Sequence, residues 1–175
     1  MNGRNRAFTL IELLVVIAII LILIALLSPA VLNAVKKSKI TNCRATVKQL
    51  EAAWQHYNRE YAVWPVLYSG ASVKWPQEMV GDPVKILGAI NDPILDLNNP
   101  RKIPFMQFPQ NAIAKNAFDD IWRRPFRFAL DTDYNGDVTF KYGSSDLTVK
   151  RSVVVWSAGP DGKDGTKDDV TNWGM

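Results

Sequence analysis

The chain has 175 residues, a formal net charge of +4, one cysteine and one histidine. That length fits one modest domain plus a membrane segment, and so mild a charge does not by itself indicate nucleic acid. With Cys43 and His56 each alone of their kind, an internal disulfide is excluded, a Cys-based metal cluster is disfavoured, and the usual His-dependent triads, dyads and zinc sites cannot be assembled. An enzymatic reading therefore starts poor.

The N-terminus carries Ala7-Phe8-Thr9-Leu10-Ile11-Glu12, followed at once by an unbroken apolar run from Leu13 to Leu27. A carboxylate one turn inside a membrane-length segment costs roughly 2.5–3.5 kcal/mol on insertion scales, which asks for a functional reason. A secretory signal peptide would account for Arg4, Arg6, the apolar core and Ser28-Pro29-Ala30 as a small-x-small site. A plain signal anchor would account for the length. Neither accounts for Glu12, and helical periodicity resumes straight after Ala30.

The segment resembles the N-terminal signature of type IV pilins and type II secretion pseudopilins. The resemblance implies that residues 1–7 are a leader cut by prepilin peptidase between Ala7 and Phe8, that Phe8 is then N-methylated, and that Glu12 serves assembly. Ala7 stands where family leaders usually end in Gly. Physically, Glu12 needs a cation, and cleavage creates one: the α-amino group of Phe8, in the same chain or a neighbouring subunit. Such a pair would satisfy two buried charges and fix axial register. Pro29 lies where the family commonly carries a helix-disrupting proline. It reads either as a point where the stem bends or melts during packing, or as a simple kink ending the apolar run. Residues 8–29 are thus expected to form a transmembrane, filament-core helix. Arg4 and Arg6 on one side are matched by Lys36, Lys37 and Lys39 on the other, so charge does not set the orientation. The resemblance implies a cytoplasmic N-terminus.

Residues 30–64 read as an amphipathic continuation of that helix. Ile40, Cys43, Val47, Leu50, Trp54, Tyr57 and Tyr61 recur in steps of three and four, while Lys36, Lys37, Lys39, Arg44, Lys48, Glu51 and Glu60 take other faces. Cys43 reads as a small core residue and His56 as a solvated or packing one. Pro65 biases Trp64 to extended backbone and stops the helix. Residues 65–175 form the predicted head. Its part from Val66 to Phe118 is rich in Pro, Gly and Asn, with short helical turns expected around Gln77–Val80 and Val84–Ile90. Asn99 to Phe105 reads as a surface loop or an intersubunit contact.

Asp120-Ile121-Trp122-Arg123-Arg124-Pro125-Phe126-Arg127-Phe128 resembles the Asp-Pro-Trp-Gly-x-Pro-Tyr-x-Tyr segment of major pseudopilins, with Ile121 at the first Pro and Arg123 at the Gly. Phe126, Phe128 and Leu130 alternate, as do Val138, Phe140 and Tyr142, and Asn135-Gly136 between them signals a hairpin. Ser152 to Trp156 supplies a third strand. The fold class expected is α+β and pilin-like: a long N-terminal helix packed on a small antiparallel three-stranded sheet with a loop-rich insert.

Ser157 to Trp173 crowds four carboxylates into a glycine-punctuated loop. Calcium takes about six to eight oxygen ligands, which such a loop can supply. The segment resembles the C-terminal calcium loop of major pseudopilins. By that match Asp161, Asp168 and Asp169 are the candidate side-chain ligands, with backbone carbonyls near Ser157 and Thr166. Asp131 to Asp137 resembles the start of an EF-hand loop, but position twelve is Tyr142 and not the required Glu; the Asn-Gly turn explains those residues without metal.

The resemblance covers nearly the whole chain and implies a non-enzymatic structural subunit of a type II secretion pseudopilus. Its implied partners are copies of itself in a helical filament, prepilin peptidase, the inner-membrane assembly platform and minor pseudopilins, with no nucleic acid. The implied location is the bacterial inner membrane, single-pass, head in the periplasm, then the periplasmic pseudopilus. The alternative is a type IV pilin or minor pilin in adhesion or DNA uptake. Those pilins often staple the C-terminal region with a cysteine pair, which this chain lacks.

Overall fold

The computed structural model describes residues 10–65, 77–90 and 97–174. The chain divides into two units, residues 1–39 and 40–175. In the first, the described residues are all helical and form the start of helix α1, Leu10–Tyr61. The large apolar side chains from Leu10 to Val35 are exposed, and Pro29 sits inside unbroken helix. Pro29 has no N–H to offer the Ala25 carbonyl, so one intrahelical bond is missing there while the helix continues.

In the second unit the stem residues Cys43, Val47, Leu50, Ala53, Trp54 and Tyr57 are buried, in the three-and-four spacing read from the sequence. They pack on a four-stranded antiparallel sheet built from β1 (Gln77–Glu78), β2 (Arg127–Leu130), β5 (Val153–Ser157) and β6 (Val170–Thr171), in that order. Strands β3 (Val138–Tyr142) and β4 (Ser145–Val149) form a separate hairpin. The short helices α2 (Asp82–Gly88) and α3 (Gln110–Lys115) lie in the loop-rich insert.

The α+β pilin-like class stands, and the sheet differs from expectation in two ways. First, the described residues hold a four-stranded sheet and a two-stranded hairpin, not one three-stranded sheet. Both edges of β2 are taken, by β1 through Gln77↔Phe128 and by β5 through Phe128↔Val155, which leaves no edge for β3. Gln77–Glu78 is accordingly a strand and not the expected helical turn, and the helix begins beyond Gly81, whose φ of 75° breaks the backbone course. Second, the hairpin turn is not Asn135-Gly136. Tyr142 pairs with Ser145 across Gly143-Ser144, a two-residue loop with Gly143 at φ 64°.

This arrangement buries the sheet on both faces. Phe128, Leu130, Val153 and Val155 join the helix-side core, while Ala129, Val154 and Trp156 pack under the hairpin with Val138, Phe140 and Tyr142. The continuous apolar run of β5 is the sequence mark of a strand covered twice.

The helix exit is tied down by hydrogen bonds. Ala62 turns into the left-handed region (φ 55°) and donates its N–H to the Asn58 carbonyl at 2.8 Å. Tyr57 OH donates to the Asn98 carbonyl at 2.5 Å, and burial pushes its phenol well above the ordinary range. Asn99, fully buried, accepts from Tyr61 OH (2.6 Å) and Ile103 N–H (3.0 Å), and donates to the Ile86 (2.9 Å) and Ile103 (2.8 Å) carbonyls. In the Asn99–Phe105 segment, therefore, Asn99 faces inward and Arg101 and Lys102 face outward. Cys43 is buried as expected, and burial pushes its thiol up to about 11.

Asn99→Ala deletes both the donors and the acceptor of this clasp. It is expected to lower stability by roughly 2–4 kcal/mol, since buried groups on several segments lose their partners. Urea unfolding of the full chain in detergent checks this; a change within the ordinary surface range would show that the clasp is dispensable.

Candidate functional site

Two places combine unusual chemistry with a defined position. At the first, Glu12 is the third described residue of α1. Its neighbours are uniformly apolar and exposed, from Leu13 at 56 % to Leu27 at 59 %. Ala7 and Phe8 lie outside the described residues.

The second place is the loop after β5. Ser157 ends β5 fully buried and pairs with Val170 of β6, so residues 158–169 must close over the width of one strand pair. The start of the loop is pinned by Asp120, a buried carboxylate that accepts the Ser157 hydroxyl (2.5 Å) and the N–H groups of Trp122 (2.8 Å) and Arg124 (3.0 Å). Gly159 N–H in turn donates to Ser157 Oγ at 3.1 Å. Arg124 donates Nη1 to the Gly159 carbonyl at 2.6 Å and packs its guanidinium where a side chain on Gly162 would stand.

Within this frame the loop's four carboxylates separate into two roles. Asp164 turns back to the scaffold, where it pairs with Arg127 and accepts Trp156 Nε1–H at 2.9 Å. Asp161, Asp168 and Asp169 converge, with one oxygen of each within 4.8 Å of the others. Asp168 accepts from Asp161 N–H (3.1 Å) and Thr166 Oγ1–H (2.6 Å). Asp169 accepts from Gly165 N–H (2.8 Å) and from the Tyr142 hydroxyl. Burial, then the carboxylate of Asp169, drives the Tyr142 phenol far above its usual range, so it remains a donor. Thr166 reaches the cluster through its hydroxyl, while its carbonyl accepts Asp169 N–H at 3.4 Å; the Ser157 side chain belongs to the Asp120 network.

The three carboxylates named from the sequence are thus the three that the fold gathers. Crowded like charges of this kind favour a bound cation. Their all-oxygen donor set, partly exposed on a glycine-rich loop, suits a hard divalent ion such as calcium. Sequence reasoning missed Asp120, Arg124, Tyr142 and Asp164 as supports. The second acidic loop is different. Asp131 is buried and folds its carboxylate onto Asn135 N–H (3.1 Å) and Gly136 N–H (2.9 Å), and burial raises its pKa. Asn135 accepts Asp137 N–H at 2.8 Å. These bonds account for the loop without an ion.

An apolar helix headed by a carboxylate and continued into an α+β head is the architecture of pilin-like proteins, and the family description "Prokaryotic N-terminal methylation motif" matches residues 2–28. Along its whole length the chain is similar to type II secretion system core protein G. It is 27 % identical to that of Escherichia coli (strain K12) over 174 residues, 99 % of this chain and 94 % of the relative. Identity to the Dickeya chrysanthemi protein is 24 % over 175 residues, 100 % and 90 % of the two chains. The Pseudomonas aeruginosa protein is 27 % identical over 175 residues, 97 % and 96 %. No solved structure matches. These relatives carry the name of a secretion system core protein and not of an enzyme, in accord with the non-enzymatic expectation.

Gly159 sits at φ 60°, and a β-carbon there would collide with the Asp168 backbone carbonyl. Gly159→Ala is expected to destabilise the head by roughly 2 kcal/mol, combining left-handed strain with that collision. It should also expose the 158–169 loop to protease. Thermal melting and limited proteolysis check it; an unchanged cleavage pattern would contradict the tight closure described above.

Proposed function

We propose that the chain is a structural subunit of a type II secretion pseudopilus. The observation that carries this reading is the methylation motif over residues 2–28, with Glu12 in the first turn of an exposed apolar helix, joined to whole-length similarity to core protein G. On this reading prepilin peptidase cuts between Ala7 and Phe8, and the freed amino group is methylated. The chain then waits in the inner membrane as a single-pass subunit, with its N-terminus cytoplasmic and its head periplasmic. Copies pack stem to stem into a helical filament with minor pseudopilins, on an inner-membrane assembly platform, and its growth drives protein export. A pilin acting in adhesion or DNA uptake is the weaker reading, because the whole-length relatives are secretion core proteins.

Glu12 acts in this scheme by pairing with the amino group of a neighbouring Phe8, which neutralises both charges in an apolar setting and sets the axial register. Pro29 interrupts the helix ladder and gives the stem a point of local adjustment during packing. Calcium is the second proposal. Asp161, Asp168 and Asp169 would hold it, and the ion would neutralise three crowded carboxylates and lock the loop that closes the sheet.

Glu12→Ala is expected to leave membrane insertion intact or improved, since a carboxylate leaves oil, and to abolish filament assembly. Carbonate extraction reads the first effect and electron microscopy of overproduced filaments the second; normal filament yield would refute the register role. Removing calcium with EGTA is expected to lower the melting temperature, by an amount equivalent to about 2.7 kcal/mol if calcium had been at a hundred times its Kd. Calcium, and not equimolar magnesium, should restore it. An indifferent melting curve would remove the ion from the scheme.

A further inference from the structure

We propose that Lys36, Lys37 and Lys39 form a basic collar that binds anionic phospholipid headgroups at the far boundary of the membrane, and so holds the subunit at a fixed depth before assembly. The proposal rests on the membrane-anchored reading above. No charged residue occurs from Leu13 to Val35, a stretch of 23 residues in sequence. That is about 34 Å of helix, against a hydrocarbon core about 30 Å thick. An ordinary tilt near 20° brings the two lengths closer still. Lys36 is therefore the first charge met at the far end of the oil, and Lys36, Lys37 and Lys39 come out at headgroup level.

Their surroundings fit lipid better than protein. All three are exposed on the helix. At 100° per residue the three lysines span about 160° of the circumference, a collar and not a stripe that one partner helix could cover. They are also lysines without an arginine among them. Flexible, strongly hydrated ammonium groups suit a fluid phosphate layer, whereas a fixed carboxylate partner favours the planar arginine fork. Leaving the membrane for the filament then means releasing these headgroups, so anionic lipid content tunes extraction.

The test uses the full chain reconstituted into vesicles of equal parts phosphatidylglycerol and phosphatidylcholine, with retained lipids counted by native mass spectrometry. The wild-type chain is expected to retain phosphatidylglycerol several-fold over phosphatidylcholine, and raised salt should shrink that ratio. The variant Lys36→Gln, Lys37→Gln, Lys39→Gln should lose most of the preference although Arg4 and Arg6 remain, while the corresponding triple Lys→Arg variant should keep it. A triple Gln variant with undiminished preference overturns the proposal. So does a wild-type chain with no preference; if assembly alone then fails in the triple Gln variant, an acidic protein surface is the occupant. Failure to enter vesicles of either lipid would instead sink the anchoring reading, which separates the two.

Discussion

The head is organised by one contact, the stack of Trp54 on Phe128, with ring centroids 4.9 Å apart and planes within 26°. Both rings are fully buried, and an offset stack of this kind adds about 0.5–1.5 kcal/mol beyond the area it hides. Its structural effect exceeds that energy. It presses the middle of β2 onto the helix, and through the Phe128↔Val155 register it sets β5 as well. With one face of the β2–β5 pair committed to the helix, the other is left apolar by the alternation of strand side chains and must be covered. The β3–β4 hairpin covers it, bringing Tyr142 over the sheet, where its hydroxyl meets Asp169. The acidic loop is thus supported on one side by a residue whose place follows from the helix contact.

Loop closure explains why the carboxylates crowd. Because Ser157 pairs with Val170, the intervening residues leave and return at neighbouring positions in the sheet. Glycines take the left-handed turns this requires: Gly159, Gly162 and Gly165 all have positive φ. Three acids inside so short a circuit cannot spread apart as they would on an open surface. Asp164 escapes because Arg127 and Trp156 stand on the hairpin-side face to receive it. The difference between one stapled carboxylate and three convergent ones is therefore set by strand register, not by the order of acids in the chain.

Much of this was legible in the residues. The period of the stem, from Cys43 through Tyr57, gave the buried face, the Asp-Gly punctuation marked the loop, and the resemblance to the C-terminal loop of major pseudopilins singled out the three acids that converge there. Strand pairing was not legible, for a physical reason. Phe126, Phe128 and Leu130 alternate against Val138, Phe140 and Tyr142 equally well whether the two strands pair or lie on opposite layers. Periodicity reports which residues face apolar surroundings, not which edge they bond. The Asn135-Gly136 signal was real as a turn, but the Asp131 carboxylate caps it into a closed loop instead of a hairpin end. Asn99 had no signal at all. An Asn-Asn pair before Pro100 reads as a surface turn, and only the meeting of Tyr61, Ile86 and Ile103 gives Asn99 four hydrogen bonds inside the protein.

On the pseudopilus reading proposed above, residues before Ile40 meet lipid first and then copies of themselves, and the apolar side chains exposed from Leu10 to Val35 suit both because neither setting offers water. The head must not take part in that exchange. Among the described residues its core takes in α1 from Ile40 onward and is held by the Trp54 stack, the Asn99 clasp and the Asp120–Ser157 pair. On the same reading stability and assembly fall to different stretches of a single helix, and a charge such as Glu12 would select partners from a stretch that contributes no described residue to the head's core.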